Sequence, residues 1–307
     1  MKTSTSALPL WAGMAALIAC TPCVALASDA AFAKVETQFR ELPPEARRLT
    51  GPLFWLHGND SRESLEMYVG KVAEGGNGSF TPESRPHTDW LGPGWWRDLD
   101  ILLEAAKKQG LEMWIFDEKW WPSQAVAGKV PPRYAAKKLH AVAAEAIGPN
   151  TFEADGYSGE RYVATIAGKV NPDGKIDGES LVDLRSRIRD GKLRWQVPAG
   201  KWRVMKFTHV QGPGLLQQGG TQLSVDGASK DCVDWFLQTV YQPHYDRYHA
   251  DFGKTIRGFF YDEPETPGDW GTELNQVLNE WKVDWKKAYV AYKFELSGEE
   301  QVAARFQ

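Results

Sequence analysis

Ile256-Arg-Gly-Phe-Phe-Tyr-Asp-Glu-Pro-Glu265 is a short apolar segment that runs directly into three acidic residues. Its β-branched and aromatic residues are typical of a strand in a packed sheet. Pro264 cannot donate a hydrogen bond to a neighbouring strand, so the strand must end at or just before it. The sequence therefore predicts a strand with Asp262, Glu263 and Glu265 at its carboxyl end.

Three acidic side chains at one strand end repel one another, and partial burial adds a desolvation penalty. Such a cluster is favoured where the carboxylates bind a cation or transfer protons. The alternative interpretation is a solvated acidic turn with no function. In α/β barrels the carboxyl ends of the strands carry the chemistry, so the position of this cluster favours the functional interpretation.

The earlier part of the chain alternates between predicted strands and helices at short intervals. Three apolar segments predict strands at residues 52–57, 78–81 and 111–116. The two intervening helices are predicted to end at Gly75-Gly76 and at Gly110. Asp60 is the predicted N-cap of the first helix, with Glu63 at capping-box spacing. This alternation predicts parallel strands that are connected by crossover helices.

The alternation is interrupted between about residues 134 and 207, where helical periodicity is weak. Residues 162–167 are predicted to form a strand. Residues 191–197 and 202–207 are predicted to form a hairpin around Pro198-Ala-Gly-Lys201, with residues 202–210 as an alternative fifth barrel strand. We therefore predict a β-rich module inserted after the third strand. Helical patterns then return over residues 233–248 and from about residue 270.

Together these patterns predict an α/β fold of the (β/α)8 TIM-barrel type with an inserted β-rich module. The predicted organisation is a signal peptide at 1–27, a leader that wraps onto the domain at 28–50, barrel segments at 51–133 and 208–307, and the module at 134–207. A complete barrel needs eight strands and typically about 250 residues. Only four barrel strands are clear, so we expect an incomplete barrel from the front part of a longer protein.

The first 27 residues have the pattern of a secretory signal peptide. Lys2 precedes an apolar run over residues 7–19, and Ala25-Leu-Ala27 offers small residues at a cleavage site. The alternative is Leu17-Ile-Ala-Cys20, which resembles a lipoprotein site with Cys20 as the lipidated residue. Both interpretations predict a secreted or periplasmic bacterial protein. The apolar run is too short to span a bilayer, so we expect no transmembrane segment in the mature chain.

Composition excludes several classes of function. The formal net charge of −4 gives no indication of a nucleic-acid partner. Cleavage after Ala27 would leave Cys232 alone, without an intrachain disulfide. The chain left after cleavage has neither a Cys pair nor a His pair at helical ligand spacing, so the metal ligands stay unknown, although clustered carboxylates can hold Ca²⁺. The lack of a Gly-x-Ser-x-Gly motif argues against a serine hydrolase.

Further candidate residues follow the other predicted strands. Two acids and an indole pair follow the third strand, and the converging ends of parallel strands would bring them toward Asp262 across a cleft. Exposed indoles suit the apolar faces of sugar rings. A solvated turn, core indoles and an anchoring His57 are the alternatives, and Arg85, His87 and Asp89 are equally ambiguous. The candidate substrate-binding residues are His57, Asn59, Trp90, Asp117, Trp120, Trp121, Asp262 and Glu265.

The order of these motifs over roughly residues 45–290 resembles the amino-terminal part of glycoside hydrolase family 106 type proteins, which include α-L-rhamnosidases. The motifs, in order, are Pro52-Leu-Phe-Trp-Leu-His57, Gly75-Gly76, Trp95-Trp96, Ala105-Ala106-Lys-Lys-Gln-Gly110-Leu111, Phe116-Asp117-Glu118, Trp121-Pro122, Trp195-Gln-Val-Pro-Ala-Gly-Lys-Trp202, Asp231-Cys-Val-Asp-Trp235 and Gly258-Phe-Phe-Tyr-Asp-Glu-Pro-Glu265.

The resemblance implies a secreted, inverting exo-glycosidase that acts on plant or bacterial polysaccharide and requires calcium. It implies that Glu263 is a catalytic carboxylate, the acid, which Asp262 and Glu265 position or with which they share a cation. The partner is Glu118 or lies in the part of the barrel that this chain lacks. The alternatives are a non-catalytic glycan-binding protein, an inactive fragment, and a metal-dependent hydrolase of another bond.

Overall fold

The computed structural model describes residues 21–217, 220–265 and 267–298 and shows a mixed α/β protein. Its strands are β1 (Leu53–Leu56), β2 (Ser79–Ser84), β3 (Glu112–Phe116), β4 (Lys137–Ala154), β5 (Tyr162–Lys169), β6 (Ile176–Asp177), β7 (Val182–Asp183), β8 (Ile188–Arg189), β9 (Lys192–Gln211), β10 (Leu215–Gln217), β11 (Gly220–Gln222), β12 (Ile256–Phe260) and β13 (Leu296–Ser297). Its α-helices are α1 (Thr21–Arg40), α2 (Pro44–Arg47), α3 (Arg62–Glu74), α4 (Pro93–Gln109), α5 (Lys230–Phe236), α6 (Gln242–Tyr248), α7 (Leu274–Glu280) and α8 (Trp285–Lys293).

The first sheet has four parallel strands in the order β1-β2-β3-β12. The carboxyl ends of the four strands therefore meet at one edge. Trp55 lies opposite Glu83 across the first pair, and Phe116 lies opposite Phe260 across the last. The predicted strands at 52–57 and 111–116 are present within one residue at each end, and the strand predicted from Ile256 runs to Phe260, before Pro264.

Helices α3 and α4 pack against this sheet through the apolar positions that the sequence indicates. Leu65 and Val69 of α3 are buried, together with most of one face of α4. Helix α4 ends where Gly110 adopts a left-handed conformation with φ of 68°, which glycine allows without strain. The predicted N-cap Asp60 is wrong. Ser61 caps α3, and its side chain accepts a hydrogen bond from the Ser64 amide at 3.2 Å.

A second sheet is antiparallel and has the order β4-β9-β5-β7, with β8 also paired to β9. The predicted hairpin around Pro198-Ala-Gly-Lys201 is wrong, because these residues lie inside the continuous strand β9. Strand β9 pairs with β4 from Ala154 and Leu193 at one end to Lys137 and Gln211 at the other. Residues 202–210 consequently belong to this sheet and not to the parallel one.

The rest of the chain packs around the two sheets. A π-helical turn, Leu237–Tyr241, connects α5 to α6 beside β12. Helices α7 and α8 cover the antiparallel sheet, where Tyr289 packs in one apolar cluster with Phe207. Cys232 is buried with a free thiol.

The segments before β1 differ in how closely they contact the rest of the protein. The side chains of residues 29–40 in α1 are exposed, whereas Arg47 and Thr50 accept backbone hydrogen bonds from Gly78 and Ser79. The predicted signal peptide and Cys20 lie mostly or wholly outside the described residues. Within the part of the chain that is described, the helices are all too short or too polar to cross a membrane.

Candidate functional site

Ser123 connects the carboxyl ends of β3 and β12. Its hydroxyl donates to Asp117 Oδ1 at 2.7 Å and accepts a hydrogen bond from the Asp262 amide at 3.0 Å. Its own amide donates to the Asp262 carbonyl oxygen at 3.1 Å. The structure thus brings together two of the candidate acids from different strand ends, and a single loop residue fixes their relative position.

Asp117 is held as an internal carboxylate behind the strand edge. The Tyr241 hydroxyl donates to its second oxygen, Oδ2, at 2.6 Å. Burial raises the pKa of Asp117 to about 6, while the hydrogen bonds from Ser123 and Tyr241 act in the opposite direction. The nearby charge of Asp262 raises that pKa further. Asp117 is fully buried, so its contribution is to position its neighbours.

Glu118 faces into the protein and holds the loop that follows β3. Its carboxylate accepts hydrogen bonds from the backbone amides of Val126 at 2.5 Å, Ala127 at 2.7 Å and Lys119 at 2.9 Å. Burial raises its pKa to about 8, and the three amides oppose that shift. Val126 and Ala127 both have positive φ, near 50°, which non-glycine residues adopt only when their surroundings fix them. Glu118 is therefore not presented at the cleft.

Glu83 is an acid at this edge that the sequence interpretation missed. It is fully buried, and Arg85 Nη2 lies 2.5 Å from its Oε1. Burial raises the pKa of Glu83, the Arg85 charge lowers it, and the Asp262 charge raises it. We predicted that the second strand ends at Thr81 because Pro82 signals a loop. In the structure Pro82 lies inside β2, and the strand carries Glu83 to the same edge as Asp262.

Arg85 is enclosed by two indoles at the surface of the site. Its guanidinium carbon lies 4.9 Å from the Trp55 ring centre and 5.0 Å from the Trp120 ring centre. Cations bind the faces of aromatic rings at these distances. Trp55 is 52% exposed, so this arrangement provides a rigid aromatic surface beside the carboxylates.

The acidic turn after β12 is the most accessible part of the carboxylate cluster. Asp262 is half-buried, and Glu263 and Glu265 are exposed. Glu263 has a positive φ of 40°. Non-glycine residues in this left-handed region are uncommon, and such strain is concentrated at functional sites. The main chain therefore fixes the direction in which Glu263 leaves the strand.

The remaining candidates divide into exposed and buried residues. His57, Asn59 and Trp121 are exposed, and His57 Nδ1 lies 3.8 Å from Asp60. Trp90 is only 4% exposed, because its indole packs into the core beneath the parallel sheet. The structure therefore does not bring Trp90 to the substrate-facing surface that we predicted for it.

His87 is also buried, and its ring contacts both the loop after β2 and helix α4. Its Nδ1 accepts a hydrogen bond from the Asp89 amide at 3.1 Å, and its Nε2 lies 3.3 Å from Asp98.

The described residues do not provide a ready calcium site. Across residues 21–217, 220–265 and 267–298, His, Cys, Asp and Glu side chains do not come together in groups of three that fit a metal ion. Calcium binding usually takes six to eight oxygen ligands, several from carboxylates. The arrangement of Asp262 and Glu265 does not fit this requirement by itself.

Comparison with known proteins shows a similarity at the level of the fold. No protein-family model matches the chain, and no curated protein matches it. Among solved structures, the chain is similar to a rhamnosidase from Novosphingobium sp. PP1Y, with a TM-score of 0.62 and 14% sequence identity. The similarity covers 85% of this chain and 43% of the rhamnosidase chain. The protein therefore has a rhamnosidase-like fold and spans less than half the length of that enzyme.

Proposed function

We propose that this protein is a secreted bacterial glycoside hydrolase of the α-L-rhamnosidase type, which removes terminal sugars from plant or bacterial polysaccharide. The observation that carries the proposal is the convergence of acids from three strand ends, Glu83, Asp117 and Asp262, beside an exposed aromatic surface. The rhamnosidase-like fold supports it.

We also propose that the parallel sheet is part of a (β/α)8 barrel that this chain holds incompletely. Helices pack on one face of the sheet. The opposite face exposes the apolar side chains Trp55, Trp114 and Phe260, which would point into the interior of a closed barrel. Strands β1 and β12 are the two ends of the strand order, where further strands would pair.

In this proposal Glu263 is the proton donor to the leaving glycosidic oxygen. Its partner is an accessible carboxylate, because Glu83, Asp117 and Glu118 are fully buried. We assign that role to Glu265, which replaces the earlier candidate Glu118. Two residues of chain place the Cα atoms of Glu263 and Glu265 up to about 7 Å apart, and the directions of the two side chains set the separation of their carboxyl groups. Inverting enzymes separate their carboxyl groups by roughly 6.5–9.5 Å, leaving room for the water that attacks the sugar.

The other residues act through these two carboxylates. The charge of Asp262 acts on the buried carboxyl groups of both Glu83 and Asp117, and Asp262 anchors the turn through its backbone contacts to Ser123. The aromatic surface of Trp55 and Trp120 would bind the apolar face of the sugar. Chemically, Glu263 gives its proton to the departing oxygen while Glu265 takes a proton from water, and the water oxygen bonds to the anomeric carbon.

The direct test is the hydrolysis of a panel of nitrophenyl glycosides, including the α-L-rhamnoside, by the purified mature chain. Release of nitrophenol from one sugar is expected, and no release by a demonstrably folded protein would contradict the proposal. A parallel assay after chelation tests the calcium requirement. Amino-terminal sequencing of the exported protein tests secretion, with Ser28 expected as the first residue.

A second candidate function is non-catalytic glycan binding. It is favoured by the complete burial of Glu83, Asp117 and Glu118, which keeps these three acids from direct contact with a substrate. This function predicts saturable binding of an oligosaccharide without any product. Binding measured by calorimetry, followed by chromatography of the same mixture, distinguishes it from hydrolysis.

A further inference from the structure

A cavity of about 280 Å³ lies beside the loop that follows β3, next to the aromatic surface. Its lining includes one charged side chain, one indole, one hydroxyl and two carboxamides, from Lys119, Trp120, Thr88, Gln217 and Gln222. Trp120 belongs both to this cavity and to the indole pair around Arg85. The cavity is therefore continuous with the site proposed above, one side chain away from the ion pair of Arg85 and Glu83.

The walls of this cavity are held in place by hydrogen bonds. Gln217 Nε2 donates to the carbonyl oxygens of Trp120 at 3.0 Å and Pro122 at 2.7 Å, which fixes the backbone that carries the indole. On the opposite side, a Cβ atom at Gly128 would lie 2.5 Å from Gln222 Oε1. Gly128 also has a positive φ of 74°, so glycine suits this position both sterically and conformationally.

Lys119 supplies the charged side chain in the lining of the cavity. Among the residues that the structure describes, Lys119 has no ion-pair partner, although its sequence neighbour is an acid. Glu118 does not pair with the Lys119 side chain, because its carboxylate accepts hydrogen bonds from three backbone amides. A half-buried lysine beside hydrogen-bonding side chains favours an anionic ligand group.

We propose that this cavity binds a sugar residue that carries a carboxylate, a uronate, as a neighbouring unit of the substrate. Lys119 pairs with the carboxylate of the uronate, and Trp120 packs against the apolar face of its ring. Thr88, Gln217 and Gln222 lie where they can form hydrogen bonds with the hydroxyl groups of the sugar. The inference rests on the proposed glycosidase function and narrows its substrate to an acidic glycan.

Titration of the full chain with monosaccharides tests this site. The probes are galacturonate against galactose and glucuronate against glucose, observed by calorimetry or ligand NMR. We expect at least one uronate to bind about fivefold more tightly than its neutral counterpart, a typical effect for a partly exposed ion pair. The preference should weaken as salt is added.

Substitutions at Lys119 test whether this side chain causes the preference for uronates over neutral sugars. Lys119→Gln should remove it, and Lys119→Arg should retain it. Lys129→Gln, at an exposed lysine of the same loop, is the matched control and should change nothing. Equal binding of uronates and neutral sugars would overturn the proposal, as would a preference that survives in Lys119→Gln.

The two proposals fail in distinguishable ways. A uronate preference that depends on Lys119, found in a chain that hydrolyses no glycoside, supports the cavity and contradicts the glycosidase. Hydrolysis of a glycoside without any uronate preference contradicts the cavity and leaves the glycosidase supported.

Discussion

The hydroxyl of Ser123 donates to Asp117 at the end of β3 and accepts from the Asp262 amide at the end of β12. One side chain from an intervening loop therefore sets the spacing between two parallel strand ends. Tyr241 completes this network by donating to the other oxygen of Asp117. The network therefore connects residues that lie more than 100 positions apart in the sequence. The geometry of the acidic edge depends on these contacts.

Removing this hydroxyl should destabilise the protein. Ser123→Ala leaves a buried carboxylate oxygen and the Asp262 amide without their partner. We expect a loss of about 1–3 kcal/mol in the free energy of unfolding, the typical penalty for unsatisfied buried polar groups. Urea denaturation measures it. Ser186→Ala, at an exposed serine, is the control and should stay within about 0.5 kcal/mol of wild type. Equal stability of the two variants would contradict the role of Ser123.

Buried His244 should make the protein less stable in acid. Its Nε2 lies 2.9 Å from Trp95 Nε1, which donates to it, so Nδ1 carries the proton and donates to the Val240 carbonyl at 2.6 Å. Burial lowers the pKa of His244 to about 4, against about 6.5 in the unfolded chain. The unfolded state therefore binds more protons between these values. Stability is fully present above pH 6.5 and falls as the pH decreases toward 4.

The change attributable to His244 should approach about 3 kcal/mol between pH 7 and pH 4. It is isolated by subtracting the pH profile of His244→Phe, which cannot titrate and keeps an aromatic ring against Trp96 and Phe259. The exposed His249, changed to Gln, is the control and should reproduce the wild-type profile. Parallel profiles for wild type and His244→Phe would show that His244 contributes nothing to acid sensitivity.

Glu118 should stabilise the loop after β3 without taking part in chemistry. Glu118→Ala removes the acceptor for the amides of Val126 and Ala127. We expect a loss of about 3 kcal/mol in stability and faster hydrogen exchange at those two amides. Glu104→Ala, at an exposed acid, is the matched control. Unchanged exchange at Val126 and Ala127 would mean that this carboxylate does not hold the loop.

The strand-end acids could be located from the sequence because local patterns determine them. The apolar runs before Asp117 and Asp262 are bounded by Pro and Gly, and parallel pairing follows from the alternation with helices. Each run was therefore placed correctly, and the two acids do meet. Glu118 has the same local pattern as Asp117. Its burial depends on amides eight and nine residues further along, which no periodicity encodes.

Two of the errors share one physical cause, the override of turn signals by long-range strand pairing. Pro198-Ala-Gly-Lys201 is a good turn sequence, but β4 pairs on both sides of it, with Gly148 opposite Gly200. Pro82 is likewise accommodated in β2, where it lies opposite Phe54. The burial of Trp90 could not be predicted, since an indole in a loop serves a core or a binding surface equally well.

If Glu263 protonates the leaving oxygen, its replacement should slow hydrolysis most for substrates whose leaving group needs a proton. Nitrophenol leaves readily without a proton, whereas a sugar alcohol does not. Hydrolysis of nitrophenyl α-L-rhamnoside and of a rhamnosyl disaccharide is compared for wild type, Glu263→Gln and Glu265→Gln, with exposed Glu280→Gln as the control. All variants are checked for an unchanged unfolding midpoint.

Glu263→Gln should lose at least about 100-fold in kcat/KM on the disaccharide and much less on the nitrophenyl substrate, in keeping with general acid catalysis. Glu265→Gln should lose activity on both substrates, because the attack of water is needed in each case. A Glu263→Gln variant that cleaves the disaccharide at the wild-type rate would show that Glu263 is not the proton donor.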